Sequence, residues 1–273
     1  MKKMKKIMAA AIAMMTFSTA AAVTGTVAWF TASNVVTASG MSLQADTEQG
    51  INISNEAKEV WKESATASHT GIVGSGENAQ QKFIPTTTED GSAWKHGNSD
   101  DRNNSDAVGE LETLTISGPT DGIAKVNKEG SSINGKNVYL LNKFYLRSSI
   151  PTAINASKLY VNSMVASGSA ADAYLDLCFR VLVKCAGGYA FFAPFEETAD
   201  TKAPVANLKS AKNVVLANNV TIPAASDLST ADAYEIEVYC YFEGNDSNCM
   251  SKNITATLNT LSLECKFGTE EIA

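Results

Sequence analysis

The sequence predicts an all-β fold, an antiparallel β-sandwich of jelly-roll or Ig-like type with long surface loops and at most one or two short helices. Two observations carry that expectation. Three segments in the second half alternate between an apolar face and a mostly polar one, and shorter strand candidates divided by turn clusters occupy much of the rest.

In chain order, the first 28 residues read as an export signal. Lys2, Lys3, Lys5 and Lys6 form a basic start, and an apolar stretch follows from Ile7 to Ala22. Small residues place a cleavage site after Ala22 or, with Thr26-Val27-Ala28, after Ala28. An uncleaved membrane anchor is the alternative, because the apolar run continues to Phe30 and about 20 such residues span a bilayer. Contact with a membrane is expected only through this segment before cleavage, and the processing partner is a signal peptidase. The remainder, 29–273, reads as a single sandwich domain.

Within that domain the strong strands are Leu175–Cys185, Ile236–Phe242 and Leu261–Phe267. Apolar residues such as Val181, Val183, Val238, Cys240, Leu263 and Cys265 fall on one face. Arg180, Lys184, Glu235, Glu237, Glu264 and Lys266 fall on the other. One covered face is the signature of antiparallel sheets. Weaker candidates are 35–45, 51–53, 111–116, 138–147, 159–165, 190–192, 214–216 and 220–222, with turns at Gly187-Gly188 and Glu243–Asp246. The stretch Asn55–Ser64 resembles a helix, with Ala57, Val60 and Trp61 on one side and Asn55 as cap. Residues 65–110 are rich in Ser, Thr, Gly, Asn and Asp and read as a long loop insertion without a second core.

Composition narrows the function classes. An apolar share of 44% with 19% charged residues is that of a folding chain, so wholesale disorder is excluded. Four of the 22 basic residues lie in the acid-free signal, which leaves 18 against 29 acidic residues in the body. Such a body repels phosphate backbones, so no nucleic-acid partner is expected.

Motifs for catalysis are missing. His69 and His96 sit in polar surroundings outside any H-E-x-x-H, and the chain has no G-x-S-x-G elbow, P-loop or dinucleotide fingerprint. The protein is therefore read as a non-enzyme without a cofactor. One calcium candidate stands out: Asp101, Asn103 and Ser105 at alternate positions with Glu112 closing the loop, although Asp106 replaces the turn glycine. Trp94, Tyr239 and Tyr241 are candidate exposed rings for stacking on a glycan, or cross-strand pairs that stabilise the sheet. Five cysteines permit a Cys240–Cys265 bridge or buried free thiols.

The junction Thr24-Gly25-Thr26-Val27-Ala28-Trp29-Phe30-Thr31, followed by Ala38-Ser39-Gly40-Met41-Ser42-Leu43, resembles the TasA/camelysin family. The closing segments Tyr234–Phe242 and Leu261–Phe267 are also similar to that family. The resemblance covers roughly the first 45 and last 40 residues. It implies a jelly-roll sandwich exported through a SipW-type signal peptidase to the surface or biofilm matrix of a Gram-positive-type bacterium. It also implies subunits that join into fibres, as homo-oligomers or with another matrix protein. The assembly strand carried over is Trp29, Phe30, Val35, Val36 and Ala38, apolar and free of proline. Two other readings stay open: a surface module binding glycan or protein, and a secreted hydrolase of the camelysin metallopeptidase type.

Overall fold

A computed structural model describes residues 42–48, 50–55, 60–69, 83–97, 111–120, 122–131, 133–167, 179–193, 212–225, 233–245 and 262–272. All belong to one compact unit, Ser39–Ala273; the unit Met1–Ala38 lies outside the described residues, as do the signal and the assembly strand.

The described strands are β1 (Ser42–Thr47), β2 (Ile51–Asn55), β3 (Ser64–Thr66), β4 (Thr87–Thr88), β5 (Trp94–Gly97), β6 (Leu111–Thr113), β7 (Ile116–Thr120), β8 (Ile123–Val126), β9 (Asn137–Ser148), β10 (Ile154–Ser167), β11 (Phe179–Cys185), β12 (Gly188–Phe192), β13 (Lys212–Ile222), β14 (Tyr234–Phe242) and β15 (Ser262–Gly268). A five-stranded sheet has the order β13-β10-β15-β1-β3. A seven-stranded sheet has the order β12-β11-β14-β9-β8-β7, with β2 on β9. A small third sheet has the order β4-β5-β6. Every pairing is antiparallel except that of β1 with β15.

The first core forms between the two large sheets. Phe179, Val181, Val183 and Cys185 of β11 and Ile236, Val238, Cys240 and Phe242 of β14 lie on the inner face. They pack in one cluster with Leu159, Val161 and Met164 of β10 and Leu263, Cys265 and Phe267 of β15. These are the apolar phases that the alternation predicts, because residues two apart share a face.

β9 organises the seven-stranded sheet. It pairs β14 along one edge; on the other, its first residues pair β8 and its last pair β2. The Asn142 amide fills the gap between those two partners. Its Nδ2 donates to the His69 carbonyl and its Oδ1 accepts from the His69 amide, both at 2.9 Å. A side chain thus reproduces one rung of a ladder and satisfies backbone groups that burial would otherwise strand.

The outer face of this sheet departs from expectation. Instead of a polar surface it carries a second core. Ile84, Trp94 and Leu114 close over Tyr139, Leu141, Leu182, Phe191, Tyr239 and Tyr241. Residues 83–97, expected as surface loop, place Trp94 here at 2% exposure. Its ring lies 4.6 Å from that of Tyr139 and meets Tyr241 edge-on at 4.9 Å. Such pairs add about 0.5–1.5 kcal/mol each beyond their burial. Polar residues of β4 and β5 hid the layer: Thr87, Thr88 and His96 of that hairpin are buried together with Trp94.

Two further expectations change. The helix at Asn55–Ser64 is not formed at its described ends: Asn55 ends β2, Lys62 bridges Ile53, and Ser64 begins β3. Tertiary pairing overrides a weak local periodicity there. The Cys240–Cys265 bridge is absent. Cys185, Cys240 and Cys265 are buried free thiols, and Cys265 Sγ sits 3.2 Å from Met164 Sδ. Cys240 and Cys265 stand on opposite sheets, which stack at about 10 Å, whereas a disulfide tolerates Cα separations up to about 7 Å. Cys178 and Cys249 lie outside the described residues.

Trp94→Ala is expected to cost about 3–5 kcal/mol, the range for deleting a buried aromatic ring. Urea unfolding measures it; a loss below 1 kcal/mol would contradict a packed second core. Burial also pushes the Cys240 thiol up to about 12 and Cys265 well above its ordinary value. Both should therefore resist alkylation in the native chain and react on unfolding, as peptide mapping after iodoacetamide treatment reveals.

Candidate functional site

Of the four calcium candidates, only Glu112 is among the described residues; Asp101, Asn103 and Ser105 lie outside them. Glu112 is on β6, exposed, with its Oε1 taken by the Lys128 ammonium. Among the described residues no three His, Cys, Asp or Glu side chains group as a metal site. Trp94, Tyr239 and Tyr241 do come together, but in the second core, where no sugar face reaches them.

The histidines also correct a surface reading. His96 is buried on β5, and its Nδ1 lies 2.6 Å from the Pro85 carbonyl, to which it donates. The His69 ring is half-buried against Gly122, where a Cβ would come within 2.5 Å of it. Gly122 has φ +75°, so an L side chain is disfavoured there twice over.

Beside the second core runs a polar row. The Lys143 ammonium lies 2.7 Å from Glu235 Oε1 and 3.2 Å from Glu237 Oε1. The Tyr239 hydroxyl donates to Glu237 Oε2 at 2.8 Å. Deeper in, Arg180 and Glu243 are both fully buried. Arg180 Nη1 donates to the Phe179 carbonyl at 3.0 Å, and Glu243 Oε1 accepts from the Asn245 amide at 2.9 Å. Buried charges persist only when held in this way.

The five-stranded sheet ends in β13 on one side and β3 on the other, and the two ends are closed differently. β13 is one edge of the five-stranded sheet and is well guarded. Asn213 and Asn219 take φ of 56° and 54°, the register slips between Leu159 and Tyr160 of β10, and the turn at Gly187-Gly188 butts against it. A Cβ on Gly188 would stand 2.2 Å from the Leu216 carbonyl oxygen. Bulges and covers of this kind block edge-to-edge pairing. The opposite edge is more lightly closed: β3 pairs β1 at Gln44, Ala45 and Asp46, the Thr47 amide donates to the Glu63 carbonyl, and Lys62 bridges Ile53 of β2.

Past β15 the chain turns back across the sheet. The Thr269 amide donates to Glu48 Oε1 at 2.7 Å, the Thr269 hydroxyl donates to the same oxygen, and the Glu270 amide points at Oε2 at 3.4 Å. Asn162 Nδ2 donates to the Glu270 carbonyl at 3.1 Å. Asn213 grips Ile272 from both sides, donating to its carbonyl at 2.9 Å and accepting from its amide at 3.0 Å. No motif signals this clamp, because Glu48, Asn162 and Asn213 are far apart in sequence.

The polar row predicts a loss of stability at alkaline pH. Burial raises Tyr139 and Tyr239, and the Glu237 carboxylate adds to both. Burial raises Tyr241 and Tyr234 as well. For Lys143 burial acts downward, but hydrogen bonds to Glu235 and Glu237 prevail and hold it above its ordinary value. Each group keeps its proton more tightly folded than unfolded. The stability is therefore fully present below about pH 10 and falls as pH rises past the unfolded values. Tyrosinate absorbance should rise cooperatively with unfolding; a simple titration of all tyrosines near pH 10 would contradict this.

Compared with protein-family models, curated proteins and solved structures, the chain matches none.

Proposed function

We propose that this is an exported, non-enzymatic structural protein of the cell surface or extracellular matrix, whose subunits join when the N-terminal segment of one completes a sheet of the next. The observation that carries the reading is the position of β1. It follows the segment Trp29–Ala38 after three residues, and it is seated beside the lightly closed edge of the five-stranded sheet. In the assembly proposed, the segment preceding β1 of one subunit adds to this margin of the next. Backbone hydrogen bonds supply affinity in such additions, and alternate side chains supply register.

The strand order supports a jelly-roll reading of the sandwich. β1-β15-β10-β13 faces β9-β14-β11-β12, and from β9 onward most successive strands cross from one sheet to the other. The parallel alignment of β1 on β15 is the departure from that plan. It brings the start of β1 to the end of the sandwich where β15 begins, with Ser42 opposite Ser262. Trp94, Tyr239 and Tyr241 offer no platform for a glycan, because all three rings are buried.

Deleting residues 29–38 from the mature chain is expected to leave a folded monomer with an unchanged thermal midpoint and no fibres by negative-stain electron microscopy. Fibres formed equally well by the deletion variant would remove the N-terminal strand from the assembly.

A further inference from the structure

We propose that the row Glu48–Asn162–Asn213 is a main-chain recognition cleft whose present occupant, Thr269–Ile272, exchanges between two copies of this chain. The two five-stranded sheets then meet outer face to outer face.

The chemistry of the clamp is that of a peptide receptor. Apart from the Thr269 hydroxyl and the Glu271 carboxylate, which accepts from Tyr160 at 3.3 Å, it reads the amides and carbonyls of residues 269–272. The side chains of Glu270 and Glu271 are exposed. Any extended segment that presents the same backbone satisfies it, including the same residues of a second chain. Asn162 leaves one group over. Its residue is fully buried, and its Oδ1 finds no donor among the described residues. An incoming chain that lies slightly differently has an acceptor waiting.

The hinge is Gly268. A Cβ there would fall 2.4 Å from Asn162 Nδ2 and 2.6 Å from Glu48 Oε2, so glycine lets the chain leave β15 through the clamp itself. Little else holds the segment, because Thr269 and Ile272 are only half-buried. Release costs these hydrogen bonds and recovers them on the neighbour, the condition under which identical elements swap. Five residues in extended form reach about 17 Å, enough to cross a contact between packed faces.

The face around the cleft favours a second copy as occupant. Met164 and Val214 pack into the inner core, so their neighbours Val165 and Val215 point to the outer face, where they are 52% and 38% exposed. Val215 is in register with Tyr160, whose hydroxyl holds Glu271. Two-fold apposition brings each copy's valines against the other's and each tail to the other's cleft, an isologous contact. The inference stands apart from the N-terminal strand, since none of residues 29–38 enters it.

The test uses full-length chains with Cys178→Ser and Cys249→Ser, which leaves only the buried native thiols. One chain carries Lys212→Cys, beside Asn213; another carries Glu271→Cys, beside Ile272. The two are mixed and treated with a short bismaleimide. A cross-linked heterodimer several-fold above that of a control pair, Ile150→Cys with Glu271→Cys, is expected. Adding Asn213→Ala to the receiving chain should bring the yield down to that control. A yield at control level, while one chain carrying both cysteines links internally, would overturn the exchange. Failure of the internal link as well would overturn the clamp itself. Repeating the mixture with residues 29–38 removed separates the two contacts: a heterodimer that persists supports the clamp whatever becomes of the fibres.

Discussion

The seven-stranded sheet is covered on both faces, and the rest of the molecule follows from that constraint. β9, β11 and β14 carry the inner core on one side and an aromatic core on the other. A sheet so placed cannot be built from simple alternation. Its outward positions must become apolar, aromatic or fully bonded wherever the third layer lies, and polar again where it stops. β14 shows the transition along a single strand. Tyr239 and Tyr241 lie under Trp94, whereas Glu235 and Glu237, nearer its start, meet Lys143 at the margin.

The same constraint accounts for the costly groups. Arg180 and Tyr241 are register partners on the outer face, and both are fully buried. In an ordinary two-layer sandwich they would be solvated. Here the bridge between Thr86 and Glu243 lays the approach to β4 against the end of β14, and the charges must be met by carbonyls, amides and hydroxyls. Removal of one such partner is far more damaging than its replacement by an apolar pair, because the loss strands a charge in a dry interior.

The five-stranded sheet works under the opposite condition. Its inner face is core, but its outer face has no third layer among the described residues, and its two edges are treated differently. β13 is twisted by two left-handed asparagines and shielded by a hairpin turn, while β1 is closed by a three-residue strand. Assembly by strand addition requires hydrogen-bonding backbone exposed at the contact and denied elsewhere. The contrast between the two edges, and the side-chain clamp laid over one of them, is the physical basis for both assembly contacts proposed.

The sequence alone determined the fold class, and it did so through period two. β11, β14 and β15 were legible because Val181, Val238 and Cys265 sit in phase with their apolar neighbours, and the strand direction of side chains leaves no other face for them. β9, β10 and β12 were legible more faintly, as the shorter candidates 138–147, 159–165 and 190–192 divided by turn clusters. The tertiary structure decided the rest. β4 and β5 are too short and too polar for periodicity to register, so the third layer, the burial of Trp94 and His96, and the aromatic role of Tyr239 and Tyr241 emerged only from packing. β13 was legible as two fragments, and Asn213 and Asn219 mark where its backbone twists rather than breaks. The clamp joins residues 48, 162 and 213 to a segment beginning at 269. Contacts of that separation leave no local trace, because they are created by which strands neighbour one another, and no single stretch of chain contains that information.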